Sequence, residues 1–132
     1  MRLQRVDWVF PADARSAARA RALITQSLAD LSGESQELVL LLTTELVTNA
    51  VRHGVGPVGV HVAWGDGHVR VEVEDQSPES PVMRPLDQNA LDGRGLILLD
   101  VLSSGWGVQA TEGGKRVWFT LEHWSPRCSP GE

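Results

Sequence analysis

Apolar and polar positions along this 132-residue chain change period several times, and each change marks an element. Val6 to Phe10 is a short β-type run. The stretch "PADARSAARARALITQSLADLSG" has helical spacing, opens near Pro11 and Asp13 and is stopped by Gly33, with its arginines on a solvated outer face. "GESQELVLLLTTELVTNAVRHG" predicts a second helix with Ser35 as N-cap and Gly54 as its end. Leucines and valines on nearly all its sides make it central. "VGVHVAWGDGHVRVEVED" alternates with period two around Gly65-Asp66-Gly67, which predicts a hairpin whose second strand ends at Asp75. From Gln76 to Asp92 the periodicity stops and three prolines appear, a segment too long for an ordinary connection and expected to act as a lid ordered by ligand. "GRGLILLDVLSS" predicts a helix with a glycine-rich first turn, and "GWGVQATEGGKRVWFTLE" a second hairpin around Glu112-Gly113-Gly114. Residues 1–122 are expected to form one domain and 123–132 a disordered tail. The order of elements implies an α/β fold, a two-layer sandwich with helices on one face of a mixed, mostly antiparallel sheet.

One polar set interrupts the central helix. Glu45, Asn49 and His53 are spaced four and four, so at roughly 100° per residue they fall within about 80° of one another. Leu38, Leu41 and Leu42 lie on the same arc, which predicts polar groups inside the apolar stripe. A carboxylate there needs a partner or a ligand, because burying it unpaired costs several kcal/mol.

Composition narrows the function classes. A net charge of −5 gives no electrostatic footprint for nucleic acid. The single cysteine, Cys128, excludes a disulfide framework and a cysteine metal cluster, and suits a reducing cytoplasm. Neither a secretion signal nor a run of about 18 apolar residues is present, so no membrane partner is expected. The histidines at 53, 61, 68 and 123 are scattered, and His61 and His68 are read as solvent-facing strand residues.

The ordered set "ELVTNAVRHG", "VEVEDQSP", "GRGL", and "GWGV" followed by "GGKRVWF" resembles the GHKL nucleotide-binding family, within it most closely the small bacterial anti-sigma-factor serine/threonine kinases. The resemblance runs from about Phe10 to Leu121. It implies a Bergerat-type ATP-binding fold, ATP and Mg²⁺ as cofactors, and an anti-anti-sigma factor or a sigma factor as partner, with a homodimer as an open assembly state. A neutral amide oxygen at Asn49 suits Mg²⁺, which keeps several waters and takes few protein ligands. Glu45, one turn earlier, is implied as the catalytic base that accepts a hydroxyl proton. His53 is either a contact to the loop and phosphates or a helix-end residue against the C-terminal dipole. Asp75 is implied to accept a hydrogen bond from the adenine amino group; its other reading is a turn-capping acid. Gly93 and Gly95 suit phosphate approach to backbone amides at a helix start, with Arg94 as a charge partner. Lys115 is either a phosphate contact or a solvated strand residue. The family often has a threonine after the Gly-Lys pair, where this chain has Arg116, and an arginine before the first glycine, where it has Leu91 and Asp92. A regulatory kinase acting on a protein antagonist is the expected function, and an ATP-gated protein-binding module the alternative.

Overall fold

The computed structural model describes residues 3–29, 33–53, 56–76 and 97–122. Strand β1 (Gln4–Phe10) leads into helices α1 (Ser16–Ser27) and α2 (Gly33–His53), then into the hairpin β2 (Val58–Gly65) and β3 (His68–Asp75). Residues 97–102 are helical and precede the hairpin β4 (Gly105–Ala110) and β5 (Lys115–Glu122).

The strands form one sheet in the order β1-β2-β3-β5-β4. Every pairing is antiparallel, where the sequence suggested a mixed sheet. The difference comes from the crossover: β4 runs in the same direction as β3, but β5 folds back from it and inserts between the two. No parallel neighbours remain among the described strands.

Local chemistry explains the elements. Asp66 and Gly67 form the two-residue turn of the first hairpin, with φ of 53° and 76°. Both values are left-handed, as a type I′ turn requires, and its backbone twist matches that of the flanking strands. Helix α1 begins later than Asp13 because that residue is spent on a turn. Its carboxylate accepts from the Arg15 backbone amide at 2.8 Å, and the Ser16 hydroxyl donates to the Pro11 carbonyl at 2.6 Å. Ser35 lies within the first turn of α2 rather than at its cap. Gln36 of α2 donates from Nε2 to the Leu28 carbonyl at 2.8 Å, so one side chain satisfies the end of α1 and joins the two helices.

The core lies between the helices and one face of the sheet. Val58, Val60 and Val62, then Val69, Val71 and Val73, then Val117 and Phe119 alternate inward and are buried against Ile24, Leu28, Leu42, Leu46 and Val47. Leu99, from the 97–102 helix, joins the same core. The opposite face carries charge. Arg70 lies 4.3 Å over the Trp118 ring, and His61 bridges Asp7 of β1 at 2.7 Å and Glu74 of β3 at 3.1 Å. His61 is therefore a cross-strand link rather than a solvated residue, whereas His68 at the hairpin is exposed as expected. A side chain at Gly107 would put its Cβ 2.8 Å from the Trp118 ring, so glycine lets that ring lie across β4.

Candidate functional site

Two strand ends and one helix end converge at one corner of the molecule. Only four residues separate His53, the end of α2, from Val58, the start of β2, so the two points lie within roughly 18 Å at full extension. The start of β2 pairs with the end of β3, with Gly59 opposite Glu74. The C-terminal half of α2, which carries Glu45 and Asn49, is thereby brought to the edge where β3 ends at Asp75. Gly56, at φ +76°, sits so close to the Gln76 side chain that a Cβ would lie 3.1 Å from its Cγ. The connection after α2 and the residue after Asp75 touch.

Asp75 continues the inward alternation of Val69, Val71 and Val73, so its carboxylate faces the helical layer. It is buried, with a side chain 4% exposed, and pairs with Lys115, whose side chain is 13% exposed. The Lys115 ammonium lies 2.9 Å from Oδ2 and donates to Oδ1 at 3.1 Å. The two residues are direct cross-strand partners. Gly114 fixes this junction: a Cβ there would stand 1.9 Å from the Asp75 carbonyl oxygen, so no other residue permits β5 to start this close to β3. The solvated reading of Lys115 does not fit this burial.

On α2 the buried residues are Val39, Leu40, Leu42, Thr43, Leu46, Val47 and Ala50, an arc of about 160°. Asn49 falls just outside it beside Leu42, and Glu45 one step further; both are half-buried. Leu41 is exposed at 40%. The polar groups therefore border the apolar stripe rather than interrupt it. Their position lets a helix present hydrophilic atoms at the rim of the layer without burying a bare charge in the core. The described residues also include no cluster of three His, Cys, Asp or Glu side chains able to hold a metal ion. Asn49 offers an amide oxygen of the kind that can hold a hard cation.

Gly93, Arg94 and Gly95, with residues 77–92 of the segment expected to act as a lid, lie outside the described residues, as does the expected tail 123–132. His53 ends α2, and its backbone alone is described. Gly56 was not singled out in the sequence, and Gly114 only as part of a hairpin turn. Their signal is positional: Gly114 directly precedes Lys115 at the start of β5, and Gly56 stands two residues before Val58 at the start of β2. The Asp75–Lys115 pairing was legible only once the register of β3 and β5 was known.

Comparison with known proteins bears on the domain as a whole. A family model for the histidine kinase-like ATPase domain matches residues 10–121, and the chain belongs to that family. Membership implies ATP as the cofactor. No curated protein matches the sequence. Among solved structures, that of the RsbU and RsbW domains of Rv1364c from Mycobacterium tuberculosis is similar, with a TM-score of 0.71 and 22% identity over 93% of this chain. The chain spans 33% of that one, and the likeness is one of fold. No helix among the described residues is long and apolar enough to cross a membrane.

Proposed function

We propose that this chain is an ATP-binding regulatory protein that uses Mg-ATP to phosphorylate a serine or threonine hydroxyl of a protein antagonist. An anti-anti-sigma factor is the proposed substrate and a sigma factor the competing partner. The carrying observation is the buried Asp75 carboxylate, which faces the helical layer at the end of β3 in a histidine kinase-like ATPase fold. A carboxylate kept there is an acceptor for an exocyclic amine, and adenine supplies one. The ordered motifs that resemble anti-sigma-factor kinases support the partner class, and the fold shared with a structure that includes an RsbW domain agrees with it.

The donor set fits Mg-ATP. Asn49 offers a neutral, half-buried oxygen at the rim of the core, suited to holding a hard cation. Bound there, Mg²⁺ would neutralise phosphate charge. His53 and the Gly93-Arg94-Gly95 turn are proposed on the phosphate side. Glu45, one helical turn before Asn49, accepts the proton of the attacking hydroxyl. The bond from the γ-phosphorus to its bridging oxygen breaks, the bond to the hydroxyl oxygen forms, and ADP leaves.

A second reading has one observation in its favour. Arg116, at the position where the resemblance leads one to expect threonine, turns to the opposite face of the sheet. It donates to Glu74 at 3.4 Å and lies 3.7 Å from Glu72, so it cannot serve the inner corner. An ATP-gated binding module without phosphate transfer is compatible with that. Two variants separate the readings. Glu45→Ala should abolish transfer from labelled Mg-ATP to the antagonist while ATP affinity stays within about tenfold, or roughly 1.4 kcal/mol. Asn49→Ala should lose both, because a bridging cation acts in the ground state as well as the transition state. Wild-type protein that binds ATP yet labels no serine or threonine of its antagonist would establish the gated binder instead.

A further inference from the structure

Lys115 was read either as a phosphate contact or as a solvated strand residue, but its ammonium lies on the residue proposed to receive the base. From this we infer that Lys115 reads the nucleobase together with Asp75, donating a hydrogen bond to N1 of adenine while Asp75 accepts from the 6-amino group. The inference rests on the ATP-binding reading above and adds a specificity-determining residue to it.

The geometry carries it. An acceptor and a donor stand side by side, 2.9 Å apart, at one end of two paired strands. The hydrogen-bonding edge of adenine presents the complementary pattern on adjacent atoms, a donor at the 6-amino group and an acceptor at N1. Guanine in the same register would set O6 against the carboxylate and N1–H against the ammonium, a clash at both positions. Gly114, packed on the Asp75 carbonyl, holds the two strand ends at one spacing, so the pair cannot readily slide to suit another base. Stability alone gives no reason to keep such a pair, since buried ion pairs can often be replaced by apolar residues at little or no cost. A recognition role does. Lys115 also compensates the Asp75 charge in this buried place.

The test is calorimetry of the full chain with Mg-ATP, Mg-1-deaza-ATP, which lacks the N1 acceptor, and Mg-7-deaza-ATP as a control that alters the imidazole ring and keeps both N1 and the 6-amino group. Wild-type protein should bind the 1-deaza analogue about tenfold or more weakly than ATP, and the 7-deaza analogue like ATP. Lys115→Met should bind ATP and 1-deaza-ATP alike. Equal wild-type affinity for ATP and 1-deaza-ATP would overturn the inference and leave ATP binding intact, as would an equal loss with both analogues. Wild-type protein that binds no adenine nucleotide would overturn the nucleotide reading itself, and this inference with it. The wild-type comparison decides the matter even if the methionine variant fails to fold.

Discussion

Two adjacent rungs of the same strand pair carry opposite ion pairs on opposite faces of the sheet. Asp75 and Lys115 point to the helices; Glu74 and Arg116, one residue away on each strand, point outward. Both rungs join an acid on β3 to a base on β5. Their surroundings differ: the inner side chains are 4% and 13% exposed, the outer ones 31% and 32%. The inner pair has lost most of its water, so each charge depends on the other. The outer pair shares a network with His61 and Glu72 and is screened by solvent. An acid–base rung is thus structural and replaceable on one face, and committed to one geometry on the other.

The largest effect should follow from breaking the inner rung. Asp75→Ala leaves a buried ammonium unpaired and should cost about 3–5 kcal/mol of stability, read from denaturant unfolding. A double change, Asp75→Leu with Lys115→Met, should recover stability to within about 1 kcal/mol of the native chain while nucleotide binding stays lost. If that double variant still binds ATP, the inner rung is structural like the outer one and the contrast collapses. Arg116→Ala should be much milder, on the order of 1 kcal/mol or less, because its partners remain solvated. ATP affinity should not change in that variant, and a tenfold loss would move the site to the wrong face.

The smallest effect concerns pH. The hydrogen bond from His61, and after it that from Arg5, holds the Asp7 carboxyl below the usual carboxylate range. A pKa depressed in the folded state contributes stability that is present above the unfolded value, about 3.9, and is lost as pH falls through the folded value. The acid limb of a thermal-stability profile should therefore flatten slightly below about pH 4 in Asp7→Asn, from a slightly lower plateau whose slope near neutrality is unchanged. A shift of the neutral limb instead would mean that the network works through another group.

Much of the fold was legible because the strands alternate cleanly and their turns use glycine where φ must be positive. The ends of β3 and of the first hairpin could be read to the residue. The mostly antiparallel sheet was legible too, but not that every pair among the described strands is antiparallel, because strand order depends on how β5 returns across a crossover and leaves no local mark in the residues. On α2 the periodicity found the polar face but misplaced the buried arc by about 100°, since leucines all round the helix gave no contrast. Val39, Thr43 and Ala50, not Leu38 and Leu41, mark its centre. At the site, Asp75 and Lys115 were each singled out, yet their partnership is a matter of register between residues 40 apart. Arg116 could have been assigned to the outer face from alternation alone, one step from Lys115.

The central claim is that the inner corner holds an adenine nucleotide through Asp75. Titration calorimetry of the full chain with Mg-ATP and Mg-GTP, repeated with Asp75→Asn, tests it most directly. The account predicts that ATP binds well below millimolar concentration, that GTP binds at least tenfold more weakly, and that Asp75→Asn loses ATP by about 1–3 kcal/mol. Absence of ATP binding at millimolar concentration, equal binding of GTP, or undiminished affinity in Asp75→Asn would contradict it.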